Sequence, residues 1–159
     1  MDPTGMAHVA LGFASLALGA GIFSLDKGTV LHRAIGALYV FSMFGLNLTA
    51  LLIYNLFGAF GVFHVISLIN LAILLAGFFT VLLQRPRKRW LRNHYYLMGW
   101  SYVGLWAAFA TEITVRVVRW PLATAVTLPT VLVVLLGGAF VRLREQRTMK
   151  HLRPARPAA

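Results

Sequence analysis

Four histidines near the starts of successive apolar segments are the residues whose type and spacing could bind a cofactor. They are His8, His32, His64 and His94. If successive segments run in opposite directions, His8 and His64 lie near one membrane face and His32 and His94 near the other. Ionisable side chains inside a membrane are costly and usually face the bundle interior. The spacing therefore predicts two histidine pairs. The alternative is that each histidine is an interfacial residue bonded to lipid headgroups, water or a neighbouring loop.

Small and aromatic residues follow two of these histidines at helical spacing. Gly36 and Tyr39 come four and seven residues after His32, and Gly12 comes four residues after His8. A small residue at such a position leaves room for a neighbouring helix or a flat cofactor. We therefore take the following residues as candidates for cofactor binding: His8, His64, His32, His94, Gly12, Gly36 and Tyr39.

Glu112 is the only carboxylate inside any of the predicted membrane spans. It lies five helical turns after His94, at about the depth of His8 and His64. Arg116 follows at the spacing of a helical ion pair, so one interpretation of Glu112 is structural. The other is a metal site, because two histidines and one glutamate form a known catalytic zinc set with an open position for water. Its ligands would be His8, His64 and Glu112.

The composition of the chain is that of a membrane protein. Of 159 residues, 59% are hydrophobic and 12% are charged, whereas soluble proteins are about 45–50% apolar and about 25% charged. A soluble globular domain is therefore excluded. The chain contains no cysteine, which excludes disulfides, thiolate metal sites and iron–sulfur clusters.

Five stretches are long enough, at about 20 residues, to cross a hydrocarbon core about 30 Å thick. Their short connections make consecutive helices antiparallel neighbours. We therefore predict an all-α fold, an up-and-down bundle of five transmembrane helices, as a single domain over residues 1–144. A basic, disordered cytoplasmic tail is predicted over residues 145–159. The predicted spans are Met6 to Leu25, Leu31 to Tyr54, Phe60 to Leu83, Tyr95 to Val115 and Leu122 to Val141.

The basic residues indicate the orientation of the chain in the membrane. The net charge is +11, but the Lys and Arg residues flank apolar stretches, where they act as topology signals and contacts to anionic lipid rather than to nucleic acid. Of the 15, only Arg116 and Arg119 fall on one side of the predicted bundle. The positive-inside rule then places the N-terminus outside and the C-terminus in the cytoplasm, with anionic headgroups as partners at the cytoplasmic face.

Several short motifs occur together in order along the chain. They are His32-Arg33-x-x-Gly36-x-x-Tyr39 with Lys27-Gly28 ahead of it, Asn47-Leu48-Thr49-Ala50-Leu51, Gly61-x-Phe63-His64, and His94-x3-Met98-x2-Ser101-Tyr102-Val103-Gly104-Leu105 followed by Glu112 and Arg116. Over about residues 8–116 the chain thereby resembles a bacterial family of multi-pass membrane proteins, domain-of-unknown-function family 2306. The resemblance implies a multi-pass protein of the bacterial inner membrane and implies no activity.

Three functional hypotheses remain open at this point, and they leave open whether the protein is an enzyme. The first is a haem-binding electron carrier of b type, since axial imidazoles on facing helices can clamp a porphyrin. Against it, the two histidine layers lie about 25–30 Å apart at 1.5 Å per residue, and bulky Leu68 follows His64 four residues on. The second is a zinc-dependent membrane enzyme. The third is a transport or accessory subunit without a cofactor. A redox partner or a second copy of the chain are the possible protein partners.

Overall fold

The computed structural model describes residues 2–54, 58–84 and 89–152, and over these residues it is built from helices alone. The prediction of an all-α fold is therefore confirmed. The elements are α1 (Pro3–Ser24), α2 (Val30–Leu52), α3 (Val62–Leu83), α4 (Trp90–Ile113), a π-helical turn (Thr114–Val118) and α5 (Leu122–Leu152).

Polar residues at the helix ends explain where the first helices begin and end. Asp2 caps α1 by accepting a hydrogen bond of 2.7 Å from the backbone N–H of Gly5. Thr29 caps α2 in the same way, accepting from the N–H of His32 at 3.1 Å. Such caps satisfy backbone donors that have no partner within the helix.

Lys27 lies in the connection between α1 and α2. Its ammonium donates to the carbonyl oxygen of Leu25 at 3.0 Å and also to that of Ile22, at the end of α1. Burial, and after it the nearby positive charge of Arg144, lowers the pKa of the Lys27 ammonium. The basic residue therefore closes a helix end as well as adding to the charge of this side of the bundle.

The first four helices form a square in which consecutive helices are antiparallel. Contacts join α1 to α2, α2 to α3, α3 to α4 and α4 back to α1, while α5 packs on α4. Hydrogen bonds between the start of one helix and the end of its neighbour show that the helices are antiparallel. His8 near the start of α1 bonds Thr49 near the end of α2, and His94 near the start of α4 bonds Gly77 near the end of α3. Among the described residues, the diagonal pairs α1/α3 and α2/α4 have no Cα atoms within 8 Å of each other. Diagonal helices therefore meet through side chains at the bundle centre.

The two ends of this square are named here by their histidines. At the His8 end α1 and α3 begin and α2 and α4 end; the His32 end is the opposite one. The core between them is a cluster of Tyr39, Met43, Leu46, Leu74 and Leu105.

Four of the five helices are long and apolar enough to cross a membrane, namely α1, α2, α3 and the Leu122–Thr148 part of α5. Little of their surface is covered by protein; Phe41, for example, is 76% exposed. Helix α4 is not among the four. It contacts α1, α3 and α5 and buries small or polar residues such as Gly99 and Ser101. Its mean hydropathy is also lowered by polar residues near its start, such as Arg92 and Asn93. The predicted fifth span and the predicted orientation stay predictions.

Helix α5 continues beyond the predicted domain end at residue 144. Residues 145–152, which the sequence assigned to a disordered tail, are helical. Glu145 holds this part against α4, since it accepts a hydrogen bond of 2.5 Å from the Tyr96 hydroxyl and pairs with Arg92 at 2.8 Å. The rest of the predicted tail, residues 153–159, and the basic residues at 85, 87 and 88 lie outside the described residues.

Candidate ligand-binding cavity

A cavity of about 530 Å³ opens between the first four helices at the His8 end. It brings together residues that are far apart in sequence, including the three proposed metal ligands. Its lining is mainly apolar and aromatic, with a few polar groups. The lining residues used below are His8, Gly12, Phe13, Asn47, Tyr54, Phe63, His64, Ser67, Asn70, Phe109, Glu112 and Arg116. We call it the His8 cavity.

His8 is held in one tautomer by the end of α2. Its Nδ1 lies 3.0 Å from the hydroxyl oxygen of Thr49. That hydroxyl donates its own proton to a backbone carbonyl of α2, of Gly45 or Leu46. With the hydroxyl proton directed to one of these carbonyls, the Thr49 oxygen accepts from His8, and Nδ1 then carries the proton of the neutral ring. Nε2 of His8 is left with a lone pair and can accept a proton or bind a metal.

His64 is held in the opposite tautomer. Its Nδ1 accepts a hydrogen bond of 3.0 Å from the backbone N–H of Gly61, at the start of α3. The proton of the neutral ring is therefore on Nε2. The side chain is only 2% exposed, and Nε2 has no hydrogen-bond partner. The rings of Tyr54 and Phe60 lie 4.6 and 4.8 Å from the imidazole, measured between centroids, and fix its plane.

Two asparagines add polar groups deeper in the bundle. Asn70 is buried, and its Oδ1 has no hydrogen-bond partner. Asn47 is also buried and donates from Nδ2 to the carbonyl oxygen of Met43 at 2.7 Å. Sequence reasoning did not select Asn70. The signal was present, because His64, Ser67 and Asn70 recur every three residues on one face of an otherwise apolar helix.

The predicted ion pair between Glu112 and Arg116 is confirmed. The guanidinium Nε of Arg116 bonds the Glu112 carboxylate, with side chains 53% and 34% exposed. The π-helical turn Thr114–Val118 carries Arg116, and such turns are frequent at functional sites. Both residues line the His8 cavity.

The second histidine pair lies at the His32 end. His94 donates from Nδ1 to the carbonyl oxygen of Gly77 at 3.0 Å, which leaves a lone pair on Nε2. His32 is close enough to His94 for an electrostatic interaction, and its buried Nδ1 has no hydrogen-bond partner. Towards the bundle centre, the Tyr39 hydroxyl bonds that of Ser101 at 3.0 Å, across the α2/α4 diagonal.

The two glycines chosen from the sequence lie in open surroundings. A Cβ added at Gly36 would meet nothing within 4 Å, and one at Gly12 would meet only Leu46 at 3.7 Å. Gly12 lines the His8 cavity. Helix packing instead requires glycine at position 19, which lies on the same stripe as His8 and Gly12: a Cβ at Gly19 would lie 2.2 Å from the Tyr102 ring.

The metal hypothesis can be compared with the arrangement of its ligands. Among the side chains described in residues 2–54, 58–84 and 89–148, no three His, Asp or Glu are grouped so that they could hold a metal ion. Glu112 is paired with Arg116, and Nε2 of His64 carries a proton in the geometry described. The set His8, His64 and Glu112 stays a prediction.

Comparison with known protein families gives a match over most of the chain. A family model described as a predicted membrane protein, DUF2306, matches residues 5–145. The match reaches further than the motifs, which end at Arg116, and it includes most of α5. No curated protein and no solved structure matches the chain. Since the family model covers nearly the whole chain, the protein belongs to the DUF2306 family of predicted membrane proteins.

Proposed function

We propose that this membrane protein binds a lipid-soluble small molecule in the His8 cavity. The observation that carries the proposal is the cavity beside His64, a lining residue whose buried Nε2–H has no hydrogen-bond partner. A buried donor without a partner costs about 1–3 kcal/mol. An occupant with an acceptor atom at this position offsets that cost.

The size and lining of the cavity fit such an occupant. Small-molecule sites are usually about 300–1,000 Å³, mostly apolar, with a few polar groups that orient the ligand. The His8 cavity, at about 530 Å³, has this character. Its polar groups come from four helices: His8 from α1, Asn47 from α2, His64 from α3 and Glu112 from α4. Polar groups from all four helices can therefore orient a ligand in the cavity.

A haem-binding electron carrier is the second candidate, and the His32 end favours it. His32 and His94 lie on diagonal helices, as two axial ligands on either side of a porphyrin do. The Nδ1–H of His94 donates to a backbone carbonyl, which is the usual support of a metal-bound imidazole. The His8 cavity fits haem less well, because ligation by His64 through Nε2 requires its hydrogen bond with Gly61 to break.

The proposal is tested by blocking the cavity. The Gly12→Trp variant fills it, since Gly12 lines the space, whereas Gly21→Trp is the matched control: a Cβ at Gly21 meets nothing within 4 Å and Gly21 is not among the cavity residues. Each purified protein is extracted with organic solvent, and the extract is analysed by mass spectrometry. Near-stoichiometric small molecule in the wild type and in Gly21→Trp, with loss in Gly12→Trp, supports the proposal.

Equal small-molecule content in all three proteins, or none in any of them, overturns it. Gly12→Leu serves as a milder block if Gly12→Trp does not fold, as judged by circular dichroism. The same samples test the second candidate. A visible spectrum that shifts on reduction, lost in His94→Ala and kept in Gly12→Trp, assigns haem to the His32 end. Zinc lost on changing Glu112 assigns a metal instead.

A further inference from the structure

The two imidazoles of the His8 cavity offer opposite hydrogen-bonding groups. His64 has a donor, Nε2–H, because its Nδ1 already accepts a hydrogen bond from the backbone N–H of Gly61. His8 has an acceptor, the Nε2 lone pair, because its Nδ1 proton is bound to Thr49. Exchanging the His64 assignment would break its hydrogen bond of 3.0 Å with Gly61, and exchanging that of His8 would require the Thr49 hydroxyl to leave the α2 carbonyls. The pair is therefore complementary to a group that both accepts and donates, such as a hydroxyl.

The apolar part of the cavity favours a flat ring. Four aromatic side chains line it, from three helices and the end of α2: Phe13, Tyr54, Phe63 and Phe109. Aromatic rings pack against one another edge-to-face or offset and gain more than area burial alone. A planar aromatic ligand is thus accommodated better than a branched or saturated one of the same volume.

The ion pair of Glu112 and Arg116 completes the lining of the site. A ligand hydroxyl bound to Nε2 of His8 donates its hydrogen bond there, and its oxygen accepts a hydrogen bond from the neutral donor of His64.

We infer that the occupant of the His8 cavity is a hydroxylated aromatic molecule of the hydroquinone class, with a hydroxyl group that donates to Nε2 of His8 and accepts from Nε2–H of His64. This inference rests on the proposed function and names its ligand class. A quinone or an aryl ether of the same shape has acceptors only. It bonds His64 but leaves the lone pair of His8 without a donor.

The experiment compares three probes of nearly equal shape in nanodiscs under argon: a short-chain hydroquinone, its quinone and its dimethyl ether. Binding is measured by isothermal titration calorimetry. One additional hydrogen bond corresponds to about tenfold in affinity. We expect the hydroquinone to bind about tenfold more tightly than the dimethyl ether. His8→Phe should reduce this preference to near unity, and His64→Phe should weaken binding of all three probes.

The outcomes separate the inference from the proposed function. An unchanged preference in His8→Phe, or equal affinities in the wild type, overturns the hydroquinone assignment. If none of the probes binds while Gly12→Trp still removes a co-purified molecule, the inference fails and the proposed function stands. If Gly12→Trp has no effect on small-molecule content or on probe binding, both fail. His64→Phe keeps an aromatic ring between Tyr54 and Phe60, so the start of α3 is expected to fold.

Discussion

Gly19 should be one of the least replaceable residues of the bundle, because the Tyr102 ring packs directly against its Cα. A Cβ there would lie 2.2 Å from Cε2 and 2.4 Å from Cδ2 of Tyr102. Because real Cβ atoms do not approach so closely, Gly19→Ala must displace the Tyr102 ring. That ring donates a hydrogen bond of 3.0 Å from its hydroxyl to the carbonyl oxygen of Leu16 and packs 5.4 Å from Phe23.

The magnitude follows from three effects. Overpacking a tight contact costs about 1–3 kcal/mol. Loss of the hydrogen bond from Tyr102 to Leu16 costs about 1 kcal/mol. The better helix propensity of alanine returns up to about 1 kcal/mol. We therefore expect Gly19→Ala to lower the free energy of unfolding by about 1–3 kcal/mol. Gly21→Ala, in the same helix, should be neutral or stabilising because the added methyl meets nothing within 4 Å.

The assay is unfolding of the purified protein in mixed micelles, followed by circular dichroism. A double-mutant cycle tests the mechanism, since Tyr102→Leu removes the ring that the new methyl group strikes. In the Tyr102→Leu background, Gly19→Ala should cost much less than in the wild type. If Gly19→Ala is as stable as Gly21→Ala, or if its cost is unchanged in the Tyr102→Leu background, the close contact is not what requires glycine.

Three further predictions concern the site and the orientation. Thr49→Val removes the hydrogen-bond acceptor that fixes the tautomer of His8. It should therefore reduce the preference for the hydroquinone over its dimethyl ether without changing the affinity for the quinone. Titration calorimetry measures both affinities, and an unchanged preference would contradict the role of Thr49. Arg116→Leu should destabilise the protein more than the double change Glu112→Gln with Arg116→Leu, because the single change leaves a carboxylate unpaired. The partial exposure of the two side chains keeps this difference small. The stabilities are compared by thermal unfolding, and a double variant less stable than Arg116→Leu would refute the prediction. A reporter that is active only in the cytoplasm should be active when fused after Ala159, and activity of a periplasm-specific reporter at that position would disprove the predicted orientation.

The histidine pattern shows which features of the site could be predicted from the sequence. Alternating helix directions predicted that His8 and His64 share one end and that His32 and His94 share the other, and the structure places them so. The spacing of Glu112 and Arg116 predicted their ion pair. These features follow from helical periodicity and chain reversal, which are local properties. Asn70 was missed because it is an amide, and the candidates were chosen among ionisable residues, although Asn70 lies on the same helix face as His64.

The boundaries of the fold were predicted less well than its class. The apolar stretch of α5 ends near Val141, yet the helix continues to Leu152, because Glu145 is held by α4 residues about 50 positions earlier. Similarly, Gly12 and Gly36 were selected for their spacing from histidines, whereas the glycine with the closest neighbour is Gly19. Which glycine must lack a side chain depends on the partner helix, and the spacing along one helix does not contain that information.

By itself, the sequence determined the membrane environment, the number of helices and the end of the bundle at which each histidine lies. These depend on segment length, hydropathy and the alternating direction of successive helices, all of which follow from the order of residues in the sequence. Only the tertiary structure decided which imidazole nitrogen is free. That depends on Thr49 for His8 and on the backbone of Gly61 for His64, and a hydrogen-bond partner is fixed by three-dimensional position. The ligand chemistry of the cavity was therefore beyond sequence reasoning, because two identical residues acquire opposite hydrogen-bonding roles only when the helices pack.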